Sequence, residues 1–338
     1  MSDAHVWQPL AEAVERFPGL RVLVVGDVML DVYDFCYTAH SKAIDSEKKG
    51  KRAYSVMDSP LALGGAGNVA ANLRSLGARA MLAGVTGDDG GHFEIRALTE
   101  RQGMEHLLLR DAGRPTTTKS RLYIDDQYVL RRDHESSAPV AREIALTLLA
   151  EVRQRLDDAD ALVLSDYAKG LFHRDTARDL VRAAGEHGVP VVVDFKPGNR
   201  RLFEQGDLLV PNEGEADALA PGFRGLDGEA LERAARDLQA SLQCRRLVVT
   251  LGQRGLCGID AAGDYFRIPG NRVEEIDAVG CGDTVRAALA LGLAAGLRLQ
   301  QAARLANDAA AVIVQKPSTA LVTPGELLEF WRRQAAAS

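Results

Sequence analysis

Cysteine is scarce in this chain and falls into no pattern. Cys36, Cys244, Cys257 and Cys281 make no C-x-x-C pair and no zinc-ligand spacing. Nothing therefore points to a metal cluster or a disulfide framework, and the usage fits a reducing compartment. An excess of positive charge is missing too. The formal net charge is -6, which argues against nonspecific nucleic-acid binding but leaves room for an anionic substrate held by local positive charge. No apolar run approaches the ~20 residues that span a bilayer. The opening segment MSDAHVWQPLAEAVERF has polar residues throughout, without the apolar stretch of a signal peptide. A cytoplasmic protein with no membrane partner is expected. Absent as well is any G-x-x-x-x-G-K-[ST] string, so a P-loop is disfavoured and a phosphate cradle must be built another way.

What is there is the balance of a globular protein: 46% hydrophobic and 26% charged residues over 338 positions, enough for one large α/β unit with an appendage. RVLVVGD (21–27), ALVLSD (161–166), PVVVDFKP (190–197), DLLVPNE (207–213) and RRLVVTLG (245–252) are nearly continuous in apolar character. Such runs suit strands buried on both faces of a parallel sheet. Helical patterns at 173–188 and 228–242 lie between them, which predicts a doubly wound α/β core. Ligands bind beyond the carboxyl ends of strands in such sheets. Asp27, Asp166, Asp194, Asn212 and Gly252 stand there, although turns and helix caps also favour these residues. Residues 33–60 and 116–134 alternate more and carry many charges, and are expected to form a small antiparallel β lid with one solvated face. The terminal RRQAAAS reads as a frayed tail.

Three stretches and the cationic lid segments carry candidate chemistry. LGGAGNVAANL (63–73) has the G-x-G-x-x-A form of a dinucleotide fingerprint but lacks the preceding buried strand. Close packing of a helix start explains it as well, as does approach of the Gly64–Gly65 backbone to a small ligand bonded by Asn68. In EEIDAVGCGDTVRAALALGLAAG (274–296), Gly280, Cys281, Gly282 and Asp283 open a long helix whose free N–H groups can bind an anion. Asp283 could accept a proton from an attacking hydroxyl or could merely cap that helix, and spacing leaves both open. Asn212 and Glu215 are spaced to serve Mg²⁺ directly or through water, or to act as a helix cap. The cationic SKAIDSEKKGKRA, KSR and LRRD segments could receive an anionic substrate or simply face solvent.

Together, VVGDVMLD, GGAGNVAANL, PNEGEA, VVTLGQRG, DAVGCGDT and ANDAAAVIV, in this order over essentially the whole chain, resemble the ribokinase family of ATP-dependent sugar kinases, also called the PfkB carbohydrate kinases. PTTTKSRLYIDDQYVLRRDHE, LSDYAKG and VVDFKPGNRRLF are most similar to the family's bacterial kinases of D-glycero-D-manno-heptose 7-phosphate. The resemblance implies a ribokinase-like fold, a mostly parallel central sheet flanked by helices with a small β-strand lid, in one kinase domain spanning 1–338. It implies ATP and Mg²⁺ as cofactors, with a monovalent cation as a further candidate, and a homodimer through the lid. Asp283 would be the general base and residues 280–283 the anion hole. Asp27, Asp31, Gly64, Gly65 and Asn68 would hold sugar hydroxyls. Asn212 and Glu215 would organise Mg-ATP, while Thr250, Gly252, Gly255 and Asn307 would line the nucleotide site. Lys119, Lys169 and Lys196 would contact the substrate phosphate or the transferred phosphoryl group. The implied reaction is phosphorylation of the heptose phosphate at its anomeric 1-hydroxyl. Another sugar or sugar phosphate, such as fructose 6-phosphate, is the alternative substrate, and a non-catalytic sugar-phosphate-binding regulator is the alternative function.

The chain departs from the family at several places. Cys281 stands where alanine is usual, Ala278 where Pro, Ser or Thr is usual, and QKPST where a Lys-Leu-Gly-Thr-like stretch is expected near the nucleotide or cation site. The 41–56 lid segment is more basic and less proline-rich than expected, which bears on the choice of sugar. The H-x-G-H motif of the nucleotidyltransferase domain that some heptose kinases carry does not occur, so only the kinase step is expected. A thiol at a helix N-terminus can have a lowered pKa, and Cys281 is therefore expected to react slowly with thiol reagents unless ATP protects it.

Overall fold

A computed structural model describes residues 4–316 and 320–337. Its strands, in chain order, are β1 (Arg21–Gly26), β2 (Val28–Ala43), β3 (Arg52–Asp58), β4 (Leu61–Gly65), β5 (Arg79–Thr86), β6 (Glu105–Arg110) and β7 (Thr118–Ile124). They continue with β8 (Gln127–His134), β9 (Ala161–Ser165), β10 (Val191–Asp194), β11 (Leu208–Leu209), β12 (Arg246–Thr250), β13 (Gly255–Ile259) and β14 (Tyr265–Pro269). The helices are α1 (Ala4–Arg16), α2 (Ala66–Ser75), α3 (Gly90–Arg101), α4 (Arg142–Arg153), α5 (Arg174–Glu186), α6 (Glu213–Leu219), α7 (Gly228–Leu242), α8 (Cys281–Ala294), α9 (Leu299–Ile313) and α10 (Pro324–Ala337).

The central sheet has nine strands in the order β14-β13-β12-β11-β10-β9-β1-β5-β6. It is parallel from β12 to β6, and β13 and β14 add antiparallel strands at one edge. Strand β1 shows why its sequence is continuously apolar. Val22 and Val24 pack into one core with α1, α2, α8 and α9, while Leu23 and Val25 pack into another with α4, α5 and α7. Each strand residue is thus covered whichever way it points, the condition under which a parallel sheet is stable. Residues 332–337 of the terminal RRQAAAS segment continue α10 where a frayed tail was expected, following the buried Trp331, and Ser338 lies outside the described residues.

Asp27 is the single residue between β1 and β2, and there the chain leaves the central sheet for a second one. That sheet runs β3-β2-β7-β8, with β4 also paired to β2. It is mixed, contrary to the antiparallel expectation, because β2 and β7 run parallel from Leu30↔Thr118 to Cys36↔Ile124. The intervening chain passes through β5, α3 and β6 of the main body before returning as β7, and such a crossover permits parallel pairing where a hairpin does not. Register puts Asp31 beside Lys119, Tyr33 beside Arg121 and Phe35 beside Tyr123 on one face. Tyr123 stacks on Phe35 at 5.0 Å and meets the edge of Tyr128 at 5.7 Å.

Candidate active site

Helix α8 begins with Gly280 as its N-cap in the left-handed region, φ 78°, and Asp283 is its third residue. Asp283 is buried, and its side chain makes no capping bond. Its Oδ2 accepts from Asn68 Nδ2 at 2.7 Å, and its Oδ1 accepts from Tyr167 Oη at 2.8 Å. The capping explanation is therefore not the geometry found. Burial raises the Asp283 pKa, opposed by Arg286 and by the bonds from Asn68 and Tyr167. A carboxylate so placed is a better proton acceptor than an exposed one.

The neighbours that hold Asp283 come from separate elements. Asn68 sits on α2, whose N-cap is Gly65 at φ 56°, and the Ala66 N–H donates to the Asp27 carbonyl at 3.0 Å. Asn72, one turn later, donates to the Asn68 carbonyl at 2.9 Å and accepts from Thr284 Oγ1 at 2.8 Å, which locks α2 to α8. Tyr167 lies just beyond β9. The N–H groups of Tyr167 and Lys169 donate to Asp27 Oδ2 at 2.8 and 3.0 Å. Asp27 thus fixes the loop that carries Tyr167, and burial pushes its pKa up to about 6. Asp31 Oδ1 accepts from Arg121 Nη1 at 2.7 Å. A Cβ on Gly64 would fall 2.6 Å from Asp31 Oδ2, so only glycine fits beside that carboxylate.

The lysines divide into two groups. Lys119 bridges Asp133 at 3.0 Å and Glu135 at 3.3 Å, and Lys169 reaches the other Glu135 oxygen at 2.7 Å. Lys196 instead bonds Glu215 at 2.6 Å and lies 5.1 Å over the Tyr167 ring. On the far side of α8's start lies a cleft of about 1130 Å³ bordered by Lys196, Asn212, Thr250, Gly252, Gly255 and Asn307, with Cys281, Gly282 and Arg286 at the helix start. Gly255 has φ 87°, and a Cβ there would collide with the Ile268 carbonyl, which explains why glycine opens β13. Asn307 Nδ2 donates to the Pro269 carbonyl at 3.1 Å.

Asn212 and Glu215 form a reciprocal capping box on α6. Asn212 Oδ1 accepts from the Glu215 N–H at 2.9 Å and Glu215 Oε2 from the Asn212 N–H at 3.0 Å. Direct metal ligation by this pair does not match the arrangement, because the capping bonds and Lys196 already engage it. Asp194 is also engaged by a cationic side chain, accepting from Arg286 Nη2 through Oδ1 at 2.6 Å, but its second oxygen is open. Asp194 Oδ2, bordering the cleft, is buried with no hydrogen-bond partner. Among the described residues no three His, Cys, Asp or Glu side chains cluster as a metal cage. Mg²⁺ keeps several waters and takes phosphate oxygens as ligands, so it needs no such cage.

The lowered pKa expected of Cys281 is not what its surroundings favour, although Arg286 pulls in that direction. Burial pushes its thiol up to about 11 instead of lowering it, and Glu275 and Asp283 add to the rise. Pro317, Ser318 and Thr319 of the QKPST departure lie outside the described residues. Tyr167, Asn72, Arg121 and Arg286 belong to the site but were not singled out by sequence reasoning. Arg286 alone left a trace, as the one charge in the apolar stretch TVRAALALGLAAG.

Comparison with known proteins identifies the family. The model of the pfkB family of carbohydrate kinases matches residues 20–325. The bifunctional protein HldE of Nitrobacter winogradskyi is 38% identical over 314 residues, covering 92% of this chain and 63% of that protein. The HldE of Trichlorobacter lovleyi is 35% identical over 315 residues, again 63% of its length. The chain thus spans less than two thirds of these relatives. Escherichia coli phosphofructokinase-2 in complex with fructose-6-phosphate superposes with a TM-score of 0.73 at 18% identity, over 93% of this chain and 98% of that one. Arabidopsis thaliana ribokinase complexed with ribose and ATP gives 0.69 at 20%, with the same coverage. Matched by the family model from Arg21's strand to the start of α10, and folded as these neighbours are, the chain belongs to the pfkB family of carbohydrate kinases, phosphotransferases that act on sugar hydroxyls.

Proposed function

We propose that this kinase phosphorylates D-glycero-D-manno-heptose 7-phosphate at its anomeric 1-hydroxyl, with ATP as donor and Asp283 as base. The observation that carries the reading is Asp283 itself. Its carboxylate is buried at the junction of the nucleotide cleft and the second sheet, held by Asn68 and Tyr167 so that it cannot rotate away. In the reaction the sugar hydroxyl passes its proton to Asp283 as its oxygen bonds the γ-phosphorus and ADP departs. The N–H groups at the start of α8 then receive charge on the transferring group. Asp194 would hold Mg²⁺, with Asn212 and Glu215 acting through water. Bound there, the ion supplies neutralisation of phosphate charge.

Asp31 and the Gly64–Gly65 backbone present acceptors and close backbone to the sugar. Lys119, Lys169 and Arg121, here paired with Asp133, Glu135 and Asp31, would turn to the 7-phosphate when it binds, and the similarity to the HldE proteins supports the heptose in particular. Lys196 belongs instead with the nucleotide phosphates. The second sheet acts as a lid that excludes water from the transfer. ADP release with Mg-ATP across D-glycero-D-manno-heptose 7-phosphate, fructose 6-phosphate, ribose and adenosine tests the substrate. Turnover with the heptose phosphate and not the others is expected. Preferred turnover of fructose 6-phosphate or ribose would keep the chemistry and sink the substrate.

A further inference from the structure

Helix α8 is buried from Asp283 to Gly292 and is otherwise apolar beyond Thr284, yet Arg286 sits inside it at 7% exposure. A guanidinium in such surroundings is costly unless charge answers it. Its Nη2 donates to Asp194 Oδ1 at 2.6 Å, and Nη1 stands 3.7 Å from Asp283 Oδ1. These contacts leave it incompletely satisfied: Nε is buried without a partner, and Nη1 makes no closer bond among the described residues. Position is the second observation. A Cβ on Gly282 would lie 2.5 Å from Nη1, so the guanidinium rests against the helix's second residue, beside the free N–H groups. Arg286 borders the nucleotide cleft together with Cys281 and Gly282. A purely structural ion pair with Asp194 would have no need to present a donor at that spot.

We propose that Arg286 is a catalytic residue of the phosphoryl transfer, its Nη1 donating to a non-bridging oxygen of the transferring group. The inference rests on the kinase reading with Asp283 as base. The sugar oxygen–phosphorus bond forms, the bond from phosphorus to the β,γ-bridging oxygen breaks, the hydroxyl proton goes to Asp283 and ADP leaves with the bond's electron pair. Arg286 exchanges no proton. It neutralises charge that grows on the equatorial oxygens, a contact strongest in the transition state. It also shares the site's charge balance. Asp283 faces Arg286, Asn68 from α2, Tyr167 from the loop after β9, Asp31 from β2 and Asp194 from β10.

Arg286→Lys keeps a charge for Asp194 but removes the planar fork, and Arg286→Met removes both. With heptose 7-phosphate as acceptor, Arg286→Met is expected to lower kcat by about 10²-fold or more. Arg286→Lys should lower it by about 10-fold, with KM for ATP and sugar held within about threefold in both. MgADP with aluminium fluoride mimics the group in flight, and its affinity should fall in parallel while ATP affinity holds. Circular dichroism melting establishes that Arg286→Lys is folded. A folded Arg286→Lys with the wild-type kcat and wild-type affinity for the fluoride complex overturns the inference and leaves the kinase reading intact. An unaltered enzyme that turns over no sugar overturns the kinase reading, and this inference with it.

Discussion

Asp283 is surrounded by groups that oppose one another. Burial lifts its pKa, while Arg286, Asn68 and Tyr167 pull it down, and Asp31 lifts it slightly. As the proposed base, Asp283 would work only when ionised, so activity should fall as pH drops through its pKa. The acid limb of kcat/KM should therefore lie above the ordinary carboxylate range. Tyr167→Phe deletes one of the lowering bonds, and that limb should move to higher pH. A limb that stays in place or moves down would contradict the role given to Tyr167. Cys281 offers a second check at this scale. A thiol pushed up to about 11 is almost wholly protonated at neutral pH, so iodoacetamide should label it far more slowly than a free thiol. Rapid labelling of Cys281 at pH 7, read by mass spectrometry, would show the burial argument to be wrong.

The elements divide by how plainly their sequences announced them. Strands β1, β9, β10 and β12 were legible because both faces are covered, which makes each a continuous apolar run. Helices α5 and α7 were legible from their periodicity. Strand β11 is only two residues long, and its wider run DLLVPNE is mostly the passage into the α6 cap. The parallel pairing of β2 with β7 could not be read, since pairing direction depends on where the intervening chain travels. In the site, Asp283 and the glycines stood out by their spacing. Tyr167 and Arg121 did not, because a tyrosine or arginine acquires its role from which chain segment folds onto it. Gly65 tests the element scale directly. It sits at φ 56° where β4 becomes α2, and a Cβ would strike the Asp27 carbonyl. Gly65→Ala should cost about 1–3 kcal/mol, seen as a lower urea midpoint with an unchanged slope. An unchanged midpoint would mean the turn relaxes freely.

The whole molecule is a large α/β body from which the chain passes at Asp27 into a mixed second sheet, and the candidate site lies where the two meet. The second sheet leaves Val56 and Met57 on β3 and Tyr128, Val129 and Leu130 on β8 about half exposed. Exposed apolar side chains on strands can serve for association, and we propose that two copies pair through these. Light scattering should give about twice the 36.4 kDa of one chain, and Val56→Asp with Leu130→Asp should return it to one; a monomeric unaltered protein would exclude the pairing. None of this bears on the chemistry as directly as the base. The decisive measurement is turnover of Asp283→Asn beside the unaltered protein, with Mg-ATP and heptose 7-phosphate, and sugar binding followed by calorimetry. Loss of kcat by about 10³-fold or more, with sugar affinity retained within a fewfold, is the predicted result. Turnover within about tenfold of the unaltered protein would place the base elsewhere and contradict the account.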